Sequence, residues 1–167
     1  MISTFDGAWD LYAQGAYLVL PCVVGWSKKG RALMGRGLCL EAADRYPTLY
    51  TWWGAQCRTH REKTPVSVID HVDESDTYRF VLAPVVPMSE EFPEHSWRKK
   101  SDPVYVERAL LQLAELPIEP FAVLGIPPLW GEATGLPERI ILPMMKRHLR
   151  GDRWRLLERP EAPKQLL

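Results

Sequence analysis

In a chain of 167 residues, 21 lysines and arginines balance 21 aspartates and glutamates. That excludes a general nucleic-acid-coating protein, which needs surplus cations to displace counterions from phosphates. With 46% hydrophobic and 25% charged residues, the composition is that of a globular chain able to bury roughly 70% of its unfolded surface without disulfides or a structural metal. Cys22, Cys39 and Cys57 are odd in number and form no CxxC pair, which argues against a disulfide framework or a tetrahedral zinc site and fits a reducing cytoplasm. No apolar run approaches the roughly 20 residues of a membrane span. The stretch Met1–Gly7 lacks the basic and apolar regions of a signal peptide, so the expected location is cytoplasmic, with no membrane partner.

In chain order, Tyr17-Leu-Val-Leu-Pro21 is a continuous apolar run and predicts a strand covered on both faces, near the centre of a sheet. A glycine-bearing loop and a helix ending at Pro47 follow, with Leu38, Ala42 and Tyr46 on one face. A second helix is expected from Thr48 to about Cys57, then strands at Val66–His71 and Tyr78–Val86 around a polar turn, 72–77. Residues 87–103 read as an ordered surface loop whose Phe92, His95 and Trp97 need a surface to lie on. Ser101 or Asp102 caps the next helix, with Val104, Ala109, Leu111 and Leu113 as its apolar surface. Phe121–Ile126 predicts a buried strand. A helix over Pro137–Leu149 has Ile140, Ile141, Met144, Met145 and His148 as its inner stripe. Trp154–Glu158 closes the sheet, and the tail 160–167 is expected to fray. Strand and helix alternate, which predicts an α/β fold, a three-layer α/β/α sandwich over 1–159.

Two segments share one physical form, a buried strand ending in a glycine loop that opens a helix: one holds Gly35 and Gly37, the other Gly131 and Gly135. Ligands of open α/β sheets bind outside the carboxyl ends of strands, where free N–H groups attract anions. Glycine as a plain turn residue explains the same pattern. Neither loop is a P-loop or a GxGxxG fingerprint. Lys28, Lys29, Arg31 and Arg36 form a local basic cluster, read equally well as a solvated loop or as a funnel for a phosphate-bearing ligand. His60 and His71 lack partners at metal-ligand spacing, so no metal is expected. His95 is a surface residue or a group that closes over a ligand, and His148 a satisfied helix residue.

The segments Gly7-Ala-Trp-Asp10, Tyr17-Leu-Val-Leu-Pro21 and Gly30-Arg-Ala-Leu-Met-Gly-Arg-Gly-Leu-Cys-Leu-Glu-Ala-Ala-Asp-Arg-Tyr-Pro47 resemble macro domains, especially the branch of phage and bacterial ADP-ribose glycohydrolase-like proteins. The similarity continues through His95-Ser-Trp-Arg-Lys-Lys-Ser-Asp-Pro103 and Ile126-Pro-Pro-Leu-Trp-Gly-Glu-Ala-Thr-Gly-Leu136. The resemblance implies a mixed central sheet and a cleft for ADP-ribose or a related nucleotide. In it, Trp9 and Asp10 lie by the adenine, Cys22, Met34, Gly35, Arg36 and Gly37 along the distal ribose and phosphate, and Trp130, Gly131, Glu132, Ala133, Thr134 and Gly135 around the diphosphate. Trp9 and Trp130 are the stacking surfaces in that reading.

The chain also departs from the family pattern. Cys22-Val23-Val24 stands where the branch carries Thr-Asn-Gly, Val85-Val86-Pro87 where related hydrolases place a lysine nucleophile, and Trp130-Gly-Glu-Ala-Thr-Gly135 in place of a glycine-richer loop. A Glu132 carboxylate near a diphosphate costs of order 1 kcal/mol; it is either a general base or a loop residue capping the next helix. Cys22 is either a thiol nucleophile or an inert buried cysteine. Three functions stay open: hydrolysis of ADP-ribosyl linkages on protein or nucleic acid, binding without turnover, and a scaffold using its seven tryptophans in protein contacts. No cofactor is expected.

Overall fold

Leu18, Val19 and Leu20 have no exposed surface, because β2 (Tyr17–Val23) lies inside a six-stranded sheet with helices packed on both faces. The structure is a computed structural model describing residues 1–72 and 77–158. The other strands are β1 (Ile2–Thr4), β3 (Ser67–Val72), β4 (Thr77–Val86), β5 (Leu124–Ile126) and β6 (Trp154–Leu157), in the order β1-β6-β5-β2-β4-β3. Neighbours are parallel except the β3/β4 pair, so the sheet is mixed. The strand period of two sorts side chains between the layers. Leu18, Leu20 and Cys22 face α1 (Ala8–Ala13), α2 (Leu38–Arg45) and α3 (Thr48–His60). Val19, Val81 and Ile126 face α4 (Pro103–Ala114) and α5 (Glu138–His148). This is the expected three-layer sandwich. Among the described residues no helix is long and apolar enough to cross a membrane.

The central strands and all four expected helices form, with moved ends. Thr48 starts a helix that runs to His60 and not Cys57. Asp102 caps α4 by accepting from Val104 N–H at 2.8 Å, with Pro103 at the first helical position. Val104 and Leu111 are nevertheless exposed, and Val106, Ala109, Leu110 and Leu113 are the buried face, because only that spacing points at the sheet. In α5 the inner stripe is Ile141, Met145 and the following Leu149, while Ile140 faces out. Phe121 is 80% exposed: a turn closed by Ala122 N–H to Glu119 carbonyl at 3.0 Å delays the strand to Leu124. Phe92 and Trp97 do not lie on the core; both are exposed, Phe92 just before and Trp97 on a short 3-10 helix, Pro93–Arg98, with Arg98 beside the Trp97 ring at 5.2 Å. β6 does not close the sheet, because β1 adds outside it with Ser3 opposite Leu156. The turn at 73–76 and the tail from 159 lie outside the described residues.

Arg61, which ends α3, is the one non-glycine residue with positive φ among the described residues (φ 53, ψ −129). Such geometry costs an L-residue of order 1–3 kcal/mol. The guanidinium 5.4 Å from the Trp26 ring returns part of that. Arg61→Gly is therefore expected to raise stability by about 1 kcal/mol, after glycine's larger unfolded-state entropy is counted. A urea midpoint no higher than that of the unaltered protein would contradict it.

Candidate functional site

The loop leaving β2 is folded tightly before it reaches the glycines. Ser27 N–H donates to Arg31 carbonyl at 2.7 Å, Gly30 N–H to Ser27 carbonyl at 2.8 Å, and Ala32 N–H to Tyr50 carbonyl at 2.8 Å. Gly54 on α3 leaves room for this turn: a Cβ there would sit 2.5 Å from the Gly30 carbonyl oxygen and 2.7 Å from Ala32 N. The chain then reaches exposed Gly35, Arg36 and Gly37, with φ of +61° at Gly35 and +67° at Gly37. At Gly37 φ +67° combines with ψ −141°, a region almost closed to any other residue. Gly37 opens α2 without a side-chain cap. Among the described residues the N–H groups of Gly35, Arg36 and Gly37 donate to no backbone carbonyl. Three successive amides thus face solvent at the carboxyl end of the central strand.

The loop leaving the neighbouring β5 closes on itself. Gly131 N–H donates to Leu136 carbonyl at 2.9 Å and Gly135 N–H to Gly131 carbonyl at 2.9 Å. The Thr134 hydroxyl donates to Gly131 carbonyl at 3.1 Å and accepts from Leu136 N–H at 3.2 Å. The two glycine amides offered by the sequence as anion donors are therefore spent inside the loop. Their φ values of +119° and +72° shape it instead. The amides of Glu132, Ala133 and Thr134 make no backbone hydrogen bond among the described residues, and Glu132 and Ala133 are exposed. Trp130 is half-buried against the core and presents only part of its surface.

Other sequence candidates sit elsewhere. Cys22 is buried at the end of β2, its Sγ 3.0 Å from Cys39 Sγ, and Cys39 in turn is 3.5 Å from Met34 Sδ. Burial first, then the Cys39 neighbour, hold the Cys22 thiol well above the usual range. A neutral, sealed thiol is no nucleophile. The side chains of Cys22 and Met34 thus support the glycine loop from behind and do not line its open face. Trp9 packs edge-on against Tyr12 and Phe80, and the Arg45 guanidinium covers one face of its ring at 3.9 Å. Arg45 ends α2 whereas Gly37 begins it, about 12 Å away along the axis at 1.5 Å per residue, so Trp9 and the first glycine loop do not meet. Asp10 is exposed in the first turn of α1.

The basic cluster is split. Lys28 and Lys29 are exposed at the turn, Arg31 lies over Tyr50 at 4.7 Å, and Arg36 alone belongs to the glycine block. Lys100 is brought to the second loop: a Cβ on Gly135 would meet its Cδ at 3.0 Å and its Nζ at 3.8 Å. The segment after β4 is held in place by Ser96, whose Oγ accepts from Ser89 N–H at 2.9 Å and donates to Pro93 carbonyl at 2.7 Å. Gly25 lets that segment seat directly on the loop after β2, since a Cβ would lie 2.7 Å from Pro93 carbonyl oxygen. The His95 ring lies tilted against Phe92 with centroids 5.3 Å apart, and His148 Nε2 lies 3.6 Å from Glu107. Among the described residues no three His, Cys, Asp or Glu side chains converge as a metal site. One open surface hollow follows directly on the second glycine loop, at Pro137, Glu138 and Leu142, and another lies at the amino ends of β5 and β6.

The buried thiols carry a pH prediction. Burial pushes Cys57 from 9.0 up to about 12, so the folded state holds a proton that the unfolded chain releases. Stability is complete below pH 9 and is lost as pH rises toward 12. Tyr17, half-buried and bonded to Asp70, is raised to about 12 and adds to the same trend. The urea midpoint is expected to fall steadily above pH 9, and to fall less steeply in Cys57→Ala. A midpoint flat across that window would refute the assignment.

No protein-family model and no curated protein matches this sequence. Solved structures do. The macrodomain of Mycobacterium tuberculosis DarG is similar with a TM-score of 0.62 at 22% identity, over 96% of this chain and 99% of that one. A macrodomain protein from Streptomyces coelicolor matches with a TM-score of 0.49 at 16% identity, over 87% of each chain. The near end-to-end match to the Mycobacterium structure, together with the mixed six-stranded sandwich, shows that this chain has the macrodomain fold.

Proposed function

We propose that the protein binds ADP-ribose, or a related NAD-derived nucleotide, across the loops at Gly35–Gly37 and Glu132–Thr134. One observation carries this reading: two runs of amides, at 35–37 and 132–134, have no backbone partner among the described residues and lie in the loops that follow β2 and β5, which are adjacent parallel strands. Successive free N–H groups form an anion cradle, and two cradles side by side suit a diphosphate. Arg36 in the first loop and Lys100 against the second supply positive charge. Trp130, next to the second loop, would offer a stacking surface, and Asp10 with the partly buried Trp9 would take the adenine end. The binding unit is a single domain over 1–159, acting in the cytoplasm.

Binding without turnover is favoured over hydrolysis because the Cys22 thiol is sealed and held neutral. In the hydrolytic reading Glu132, exposed on the second loop, would activate a water to release ADP-ribose from a protein or nucleic acid. The test is calorimetric titration with ADP-ribose, followed by chromatography after ADP-ribosylated substrate is supplied. Heat without product establishes a reader; heat with product that Glu132→Gln abolishes establishes the hydrolase. Absence of heat at high protein concentration overturns the ligand assignment.

A further inference from the structure

Cys22, Cys39 and Cys57 are all buried in the layer between the sheet and helices α1, α2 and α3. Two of them touch. Cys22, near the carboxyl end of β2, and Cys39, in the first turn of α2, have their Sγ atoms 3.0 Å apart. That is closer than the roughly 3.5–4.0 Å at which carbon atoms rest against one another, and about 1 Å longer than a disulfide bond. Cys57, on α3, turns its Sγ toward the Val23 carbonyl at 3.9 Å instead. The packing therefore pairs two of the three sulfurs.

In the closed fold both thiols are sealed, at 1% and 2% exposure, so an oxidant acts on them only after the chain above them lifts. That chain is lightly held. Gly35, Arg36 and Gly37 are exposed, their N–H groups donate to no backbone carbonyl among the described residues, and Gly37 opens α2 without a side-chain cap. Segments with exposed backbone and few hydrogen bonds open at the low end of the free-energy scale. Cys39 follows Gly37 by two residues and rides on this segment, whereas Cys22 is fixed in the sheet opposite Pro84 of β4. The two sulfurs therefore part when the loop opens and meet again when it closes.

We infer that Cys22 and Cys39 form a redox-sensitive pair whose disulfide locks the first glycine loop in its closed position. The oxidant is a small peroxide. With the loop open, Cys39 meets solvent and attacks one peroxide oxygen as a thiolate; the O–O bond breaks, the leaving hydroxide takes up a proton as water, and Cys39 becomes a sulfenic acid. While the loop is still partly open, Cys22 is wetted, loses its proton and attacks the Cys39 sulfur. The S–O bond breaks, and the leaving hydroxide takes that proton up as a second water. Two thiols have then given up two electrons and two protons, and hydrogen peroxide has become two waters. Closing brings α2 home with its start tied to β2, so the amides at 35–37 no longer lift. The pairing rests on the sulfur geometry and not on a ligand, so it stands or falls apart from the ADP-ribose reading.

The test exposes the folded full chain to hydrogen peroxide at about pH 8, where an exposed thiol is partly ionised, then alkylates the remaining thiols and maps the peptides by mass spectrometry. The expected product is one cross-link, Cys22 to Cys39, lighter by two hydrogens, with Cys57 alkylated and the bond reversed by dithiothreitol. Hydrogen exchange in the same samples should be at least about tenfold slower at the amides of 35–39 in the oxidised chain. Cys39→Ser should abolish both the cross-link and the slowed exchange. Cys57→Ala should keep both, and it carries the test if Cys39→Ser does not fold; loss of the cross-link in Cys57→Ala overturns the pairing. Alkylation of all three cysteines after peroxide overturns the inference, as does Cys39 sulfinic acid with Cys22 left free. A cross-link formed only above the urea midpoint, where the fold no longer holds the sulfurs together, overturns it too.

Discussion

Gly54→Val is expected to lower folding stability by about 3 kcal/mol, the upper part of the range for forced overpacking. The neighbours of the new side chain are all backbone: Gly30 O at 2.5 Å, Ala32 N at 2.7 Å and Arg31 C at 3.0 Å from the Cβ alone. No rotamer relieves that contact, and moving the loop breaks the Ala32 N–H bond to Tyr50 carbonyl. The same shift displaces the segment leading to Gly35, so ADP-ribose affinity should fall together with stability. Urea denaturation measures the first effect and calorimetry the second. A loss under about 1 kcal/mol would mean that the loop lifts off α3 at little cost, and that α3 does not position the site.

Gly35→Val separates the two effects. Its backbone has φ +61°, which costs a residue with a Cβ about 1–2 kcal/mol. Among the described residues, chain neighbours aside, the only atom within 4 Å of the added Cβ is Val23 Cγ2 at 3.6 Å, an ordinary contact, so the fold should persist with modest destabilisation. The valine methyls would occupy the space in front of the exposed amides at 35–37. Affinity for ADP-ribose should then fall at least about tenfold. Unchanged affinity alongside an unchanged circular dichroism spectrum would remove the first glycine loop from the ligand site.

How far each element was legible depended on how much of its environment lay nearby in the chain. β2 declared itself because a run buried on both faces needs no partner to be recognised. Asp102 and Pro103 announced the start of α4 by local capping chemistry. β1 has only three residues and no buried one, so it was invisible until β6 was there to pair with it. Which stripe of α4 faces inward depended on the direction of β4, and Val104 and Leu111 fell outside it.

The candidate site divides along the same line. The sequence alone determined the order of strands and helices from β2 onward, the position of two glycine loops behind buried strands, and a resemblance that the macrodomain-like fold supports. The first two rest on local backbone preference and short-range periodicity, the third on likeness of sequence segments to a known family. Only the tertiary structure decided that the Gly131 and Gly135 amides are consumed within their own loop, so that 132–134 present the free ones. It also sealed Cys22 against Cys39, set Arg45 on Trp9, and laid Lys100 beside Gly135. Those outcomes join residues on different elements, and a side chain's exposure or partner is a property of the packed layers, which no window of the chain contains.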